Sequence, residues 1–196
     1  MSPAPKTAQR PKRETILGID PGSLVTGWGL IEADGNRLHY TAHGIISTSP
    51  VLAQAERLKQ IYRGVCEVIR RHRPVVVSLE KVFFSRNVQS ALKLGQARGI
   101  AMLAASESEI PVSEYSATEI KVAVVGYGHA TKEQIQKMVI ALLGMRGVIR
   151  ADAADALAAA ICHIHRRTYQ SRIGDAVNPR KSKTSWRDYV VAAAKR

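Results

Sequence analysis

The sequence predicts an α/β protein built on a five-stranded mixed sheet flanked by helices, and three observations carry that reading. The apolar run Ile16-Leu17-Gly18-Ile19 ends on Asp20 and is followed by Pro21-Gly22 and a second run, Trp28-Gly29-Leu30-Ile31. Pro fixes φ and Gly accepts φ > 0, so this is a strand, a tight turn and an antiparallel strand. Farther on, Val75-Val76-Val77-Ser78-Leu79-Glu80 is a nearly continuous β-branched run, which suits a central strand buried on both faces. Helical-period stretches then alternate with short apolar runs, for an order β-β-β-α-β-α-β-α-α-α. At 196 residues, 45% of them hydrophobic, the chain is long enough for one domain with a real core.

Residues 1–13 are polar, basic and Pro-containing, and are expected to form a disordered basic tail. Thr15–Asp20 and Gly27–Glu32 are the first two strands. Asp34-Gly35 signals a hairpin turn, and Leu38–Thr48 reads as the third strand. Ser49-Pro50 fits an N-cap and first helical position, opening a helix over roughly Leu52–Arg71 with Leu58, Ile61, Tyr62, Val65, Val68 and Ile69 on one stripe. The cluster Arg70-Arg71-His72-Arg73 before Pro74 complements that helix's C-terminal dipole and makes a solvated face, a plainer reading than DNA contact.

After the strand ending at Glu80, Lys81–Arg86 is a loop holding Phe83 and Phe84. Asn87 can cap a long helix, Val88–Glu107, with an apolar stripe of Ala91, Leu92, Gly95, Gly99, Met102 and Leu103. The four-residue spacing of Gly95 and Gly99 leaves a smooth surface for close approach of another backbone, so this face is the expected dimer contact. Pro111–Tyr115 is a short strand. Ser116 with Glu119, and Thr131 with Gln134, are capping boxes that start helices near Ala117 and Lys132. Gly126-Tyr127-Gly128-His129 between them lacks the third glycine and the lysine of a nucleotide-binding loop. Ala151–His165, rich in alanine, is the last clear helix. The globular domain is expected over residues 14–170, with a basic tail over 171–196 in which Trp186–Ala194 can form a short amphipathic helix.

The formal charge is +13, and it is concentrated at the ends. Residues 1–13 hold Lys6, Arg10, Lys12 and Arg13 with no acid, and residues 166–196 hold nine cations against Asp175 and Asp188, so the body between is nearly neutral. Basic tails on a compact body suggest a polyanionic partner, nucleic acid first. Cys66 and Cys162 do not resemble a disulfide framework and are expected as free thiols in a reducing cytosol. Cys162, His163 and His165 are spaced so that their side chains diverge on a helix, which argues against a zinc cluster. The N-terminus has no apolar signal segment, and no run approaches the ~18–20 apolar residues of a membrane span, so a cytoplasmic protein is expected.

The chemistry lies in the acids. Asp20 and Glu80 each end an apolar strand, and Asp152 and Asp155 share one face at the start of the last helix. An acid at a helix start or a strand end has ordinary explanations, dipole compensation or an Asx-turn. Two strands ending in acids, facing a helix that begins with two more, are harder to explain by packing. If the first and fourth strands are neighbours, all four converge. Four carboxylates in one place repel unless a cation intervenes. Oxygen-only donors suit Mg²⁺ or Mn²⁺ rather than zinc, and two such ions ~3.5–4 Å apart can hold a scissile phosphate and activate water. No Ser/His/Asp triad is apparent.

GIDPGSLVTGWG, SLEKVFFSRN with ALKLGQARGIAMLAA, EYSATEIKVAVVGYG and DAADALAAAICH, in that order over residues 15–165, resemble the RuvC family of bacterial Holliday-junction resolvases. The second and fourth are specific; IDPG alone is weak. The resemblance implies a ribonuclease-H-like fold and a homodimer. It also implies metal-dependent endonuclease cleavage of four-way DNA junctions by paired symmetric nicks, in DNA recombination and repair. By it, Asp20, Glu80, Asp152 and Asp155 are the catalytic acids and ligands of Mg²⁺ (or Mn²⁺), two ions per site. Some members have His where this chain has Asp152. Phe83 would be the junction-stacking aromatic, Lys121 and Lys132 the lysines near DNA, and a branch-migration motor a further partner. Two other readings stand beside it. Asp20-Pro21-Gly22-Ser23 with Thr26-Gly27 resembles the first phosphate loop of actin-like kinases, though those need a second such domain. A non-catalytic junction-binding module on the same fold would be expected to have lost acids.

Overall fold

A computed structural model describes residues 13–35, 37–81 and 88–177, with side chains described as far as residue 170. Phe83, Phe84 and Asn87, most of the N-terminal tail and the segment Trp186–Ala194 lie outside the described residues. The elements follow the expected order: β1 (Glu14–Asp20), β2 (Val25–Asp34), β3 (Arg37–Ser47), α1 (Gln54–His72), β4 (Val76–Glu80), α2 (Val88–Glu107), β5 (Val112–Tyr115), α3 (Ala117–Val125), α4 (Lys132–Leu142) and α5 (Ala151–Val177).

The sheet order is β3-β2-β1-β4-β5. β1 to β3 form an antiparallel meander, while β4 joins β1, and β5 joins β4, in parallel. This is the mixed five-stranded sheet of the ribonuclease-H-like expectation, with β1 and β4 adjacent. Parallel pairing requires a crossover, which α1 supplies.

Side-chain alternation then divides the sheet. Leu17, Ile19, Leu30, Val77 and Leu79 point to one face and pack with α1 and α2. Ile16, Ile31, Ala33 and Val76 point to the other, with α3, α4 and α5. α5 crosses that second face, and its alanines Ala153, Ala156, Ala158, Ala159 and Ala160 are fully or almost fully buried.

Two expectations, at the start of α1 and the end of α5, are corrected. α1 does not start at Pro50: Ser49-Pro50 forms a separate turn in which the Leu52 N–H donates to the Ser49 carbonyl, and the helix begins after Ala53. On α2, the stripe carrying Gly95 and Gly99, expected to meet a second copy, points away from the sheet. Ala97, Ala101, Ala104 and Ala105 are buried instead, while Leu92 and Leu103 are exposed and nothing lies within 4 Å of a Cβ built on Gly95 or Gly99. α5 continues past His165 to Val177. Both capping boxes form as expected, at Ser116/Glu119 and Thr131/Gln134. Cys66 and Cys162 are free thiols, Cys162 buried with its thiol pushed up to about 12 by burial. His163 shares a hydrogen bond with the Tyr115 hydroxyl, and His165 donates to the Ala123 carbonyl.

Candidate active site

Strand register brings the first two acids together. Ile19 and Leu79 are the last paired residues of β1 and β4, so Asp20 and Glu80 follow side by side at the same edge. Alternation places both on the α5 face: Asp20 is two residues past Gly18, and Glu80 two past Ser78, whose buried hydroxyl donates to the Ala159 carbonyl of α5 at 2.7 Å. The turn behind Asp20 is fixed locally. The fully buried Thr26 hydroxyl donates to the Gly22 carbonyl at 2.9 Å, and the Gly22 N–H donates to Thr26 Oγ1 at 3.3 Å.

The second pair of acids arrives because α5 can approach the sheet with no side chain between. A Cβ on Gly18 would lie 1.8 Å from the Ala156 carbonyl oxygen, and one on Gly29 would lie 2.4 Å from Leu157 Cγ. One on Gly27, the cross-strand partner of Asp20, would lie 2.0 Å from the carbonyl oxygen of Asp152 itself. The start of α5 therefore rests on the backbone beside Asp20, and the same contact sets the position of Asp155 one turn on.

The electrostatics follow from this crowding. The Asp20 carboxyl is pushed up to about 7, first by burial and then by repulsion from Asp155, Glu80 and Asp152. Burial, followed by Asp155, raises Glu80 above its ordinary range, while Lys132 and Lys121 oppose the rise. Asp155 is raised by burial and held back by Lys132, whose Nζ lies 3.5 Å from Asp155 Oδ2. Lys132 is in turn raised, chiefly by Asp155, and so keeps its charge. Arg150 Nη2 lies 3.5 Å from Asp152 Oδ2. A cleft of ≈ 280 Å³ is lined by Glu80, Lys121, Lys132 and Asp155 over an apolar floor that includes Ile120 and Ile135.

Of the residues singled out in the sequence, Asp20, Glu80, Asp152, Asp155, Lys121 and Lys132 thus meet at one edge of the sheet, and Phe83 lies outside the described residues. Among the described residues no three His, Cys, Asp or Glu side chains stand close enough to hold a metal ion as they are. The donor set nevertheless fits a hard divalent cation: all-oxygen, acidic, and short of positive charge where Asp20 is driven toward protonation. Sequence reasoning missed Gly18, Gly27 and Gly29 as the seat of α5, Ser78 as its tie, and Thr26 as the residue that fixes the turn after Asp20. Their signal is small residues spaced by two on adjacent strands, which is readable once the register is known.

A sequence profile described as "Crossover junction endodeoxyribonuclease RuvC" matches residues 16–163. The protein of that name from Geobacter metallireducens is 54% identical over 148 residues, covering 76% of this chain and 90% of the relative. The one from Trichlorobacter lovleyi is 48% identical over 174 residues, covering 89% and 98%. Among solved structures, "T. thermophilus RuvC in complex with Holliday junction substrate" superposes with a TM-score of 0.76 at 35% identity, covering 81% of this chain and 97% of that one. With site and fold in agreement over this length, the chain belongs to the RuvC family of crossover junction endodeoxyribonucleases.

Proposed function

We propose that this protein is an endonuclease that resolves four-way DNA junctions by hydrolysing one phosphodiester in each of two strands of like polarity. The observation that supports it best is the convergence of Asp20, Glu80, Asp152 and Asp155 at the sheet edge, with Lys121 and Lys132 in the same cleft. In this reading those four carboxylates would hold two Mg²⁺ (or Mn²⁺) ions, which would supply the positive charge that a scissile phosphate and an activated water need. The chain's own groups do the rest. Lys132 and Lys121 attract the phosphate and offset the acids' mutual repulsion. Asp20, raised to about 7, must give up its proton for the site to reach its working charge. Ile120, Ile135 and Ala158 make one wall of the cleft apolar, which strengthens each charge interaction beside it.

Paired nicks call for two sites, and a C2 homodimer presents two to a nearly two-fold junction. The exposed α2 surface of Gly95 and Gly99 is our candidate contact. Phe83 is assigned to stacking on an unpaired base near the cut. A branch-migration motor and a cytoplasmic setting complete the proposal by family resemblance. The non-catalytic and phosphotransferase readings are less favoured, since all four acids are present and gathered at one sheet edge. The test is nicking of synthetic four-way DNA in Mg²⁺ by the wild-type chain and by Asp20→Asn. Wild-type is expected to cut and the variant to bind without cutting. Tight binding by wild-type with no nicking in Mg²⁺ or Mn²⁺ would overturn the enzymatic reading.

A further inference from the structure

We propose that Arg98 is a positioning residue for cleavage: from α2, on the side of the sheet opposite α5, it fixes the main chain at Glu80. This rests on the nuclease reading above. Glu80 still pairs with Tyr115 of β5, but on its β1 side the ladder has already ended. The last β1–β4 pair is Ile19 with Leu79, and β1 continues through Asp20 into Pro21, which has no N–H to offer a neighbouring strand. On the β5 side, the Lys81 N–H donates to the Tyr115 carbonyl at 2.7 Å, which holds the chain one residue later. The Glu80 carbonyl receives its donor from a side chain: Arg98 Nε donates to it at 3.4 Å.

The other arm of the guanidinium reaches β5. Arg98 Nη2 forms an ion pair with Glu114 of β5, which pairs in register with Leu79 and lies on the α2 face. The Arg98 side chain is 21% exposed and that of Glu114 32%, so this pair is partly shielded from solvent. A planar fork with fixed donors can bond Glu114 and the Glu80 carbonyl together. An ammonium on a flexible stem does so poorly. α2, β4 and β5 are thereby tied at the residue that carries one of the four acids. Lys81 follows at the next position, so the same tie fixes where the chain leaves β4. The neighbour of Arg98 on the helix, Gly99, faces outward on the α2 surface assigned to dimer contact.

The experiment compares wild-type, Arg98→Lys, Arg98→Met and Asp20→Asn on a four-way junction. It measures junction affinity in Ca²⁺, single-turnover cleavage in Mg²⁺, thermal midpoint, and Mn²⁺ binding by electron paramagnetic resonance without DNA. For both Arg98 variants the expected result is junction affinity within about twofold of wild-type and single-turnover cleavage slowed at least tenfold. Metal midpoints for cleavage and for Mn²⁺ binding should move to higher concentration. Arg98→Lys keeps the charge and most of the packing, so it serves if Arg98→Met does not fold. A lower thermal midpoint with unchanged single-turnover rate and unchanged Mn²⁺ binding would make Arg98 a packing residue only and overturn the proposal. Failure of wild-type itself to cut would sink the nuclease reading instead, and Mn²⁺ binding would still report on Arg98.

Discussion

The two faces of the sheet are built from the same strands by opposite means. Toward α1 and α2, the strands present Leu17, Ile19, Leu30, Val77 and Leu79, and ordinary interdigitation with Ile61, Val65, Val68 and Ile69 fills the layer. Toward α5, the same strands present Gly18, Gly27, Gly29 and Ser78 where the helix crosses, and they meet the main chain at Asp152, Ala156 and Ala159 and the side chain of Leu157. The first face gains stability from area. The second gives up side-chain volume to bring a helix backbone near the sheet, and in return Asp152 and Asp155 stand beside Asp20. Acids that must share one site need fixed backbones, because a 1 Å error on a flexible element loses the arrangement.

The largest effect expected from breaking that contrast comes from matched substitutions at the sheet centre. Gly18→Val places methyl groups where the Ala156 carbonyl already lies 1.8 Å from an ideal Cβ, and neither backbone can yield. It should cost on the order of 4 kcal/mol or more and leave little folded protein. Leu79→Ala, on the opposite face, removes a fully buried side chain and should cost about 2–5 kcal/mol. The folded fraction of Leu79→Ala should still cleave near the wild-type rate. Denaturant melts with single-turnover cleavage on the folded fraction check both. Equal tolerance of the two changes would mean α5 does not seat on glycine.

Next in size is Lys132→Met. Lys132 opposes the upward shifts of Asp20, Glu80 and Asp155, so its loss lets all three rise further. Cations are then held only at higher pH. The acid limb of the rate profile should move to higher pH, and cleavage at neutral pH should fall ~10²-fold, the scale for losing one fixed electrostatic stabiliser. A rate lowered equally at every pH would make Lys132 a DNA contact alone.

A smaller effect should appear in the stability of the metal-free protein. The raised Asp20 means the folded state holds a proton that the unfolded chain releases near the ordinary 3.8. Its contribution is therefore fully present below about 3.8 and is lost as pH rises through about 7. Glu119, lowered by its capping-box bonds, acts in the opposite sense, so the wild-type melt alone is ambiguous. The difference between wild-type and Asp20→Asn isolates Asp20: Asp20→Asn should gain relative stability between pH 4 and pH 7. Mg²⁺ should raise the wild-type thermal midpoint more at pH 8 than at pH 5. A difference that does not change with pH would place Asp20 in a solvated environment.

Legibility in the sequence follows the same division. Element order, both capping boxes and the four acids were readable, because strand ends and helix starts are marked by local chemistry at fixed offsets. The sheet-packing face of α2 was not legible, because a helix of Ala, Gly and Ser has little contrast between faces and its larger residues Leu92 and Leu103 lie toward solvent. The start of α1 was misread because Ser49-Pro50 satisfies the cap pattern yet is spent on a turn of its own. The glycine seat of α5 and the tie from Arg98 to Glu80 join residues far apart in the chain. They become visible only when β1, β2 and β4 are placed in register.

The smallest stability effect is expected at Gly99, and it separates two meanings of glycine. Gly18 lacks a Cβ because a backbone occupies that space, while a Cβ on Gly99 meets nothing within 4 Å in the single chain. Within one chain, Gly99→Leu should be harmless or slightly stabilising, since leucine favours a helix interior over glycine by up to ~1 kcal/mol. If the Gly95 and Gly99 face is where a second copy packs, the leucine has no room there. Sedimentation should then show a monomer with an unchanged or higher thermal midpoint. Because each monomer keeps its four acids, it should still nick one strand, but the two nicks of a junction should become independent events. A cruciform plasmid, which loses its structure after a single nick, would read this as open circles in place of linear product. A variant that remains dimeric and still linearises the plasmid would place the interface on another surface, and the open space at Gly99 would then be only solvent-facing helix.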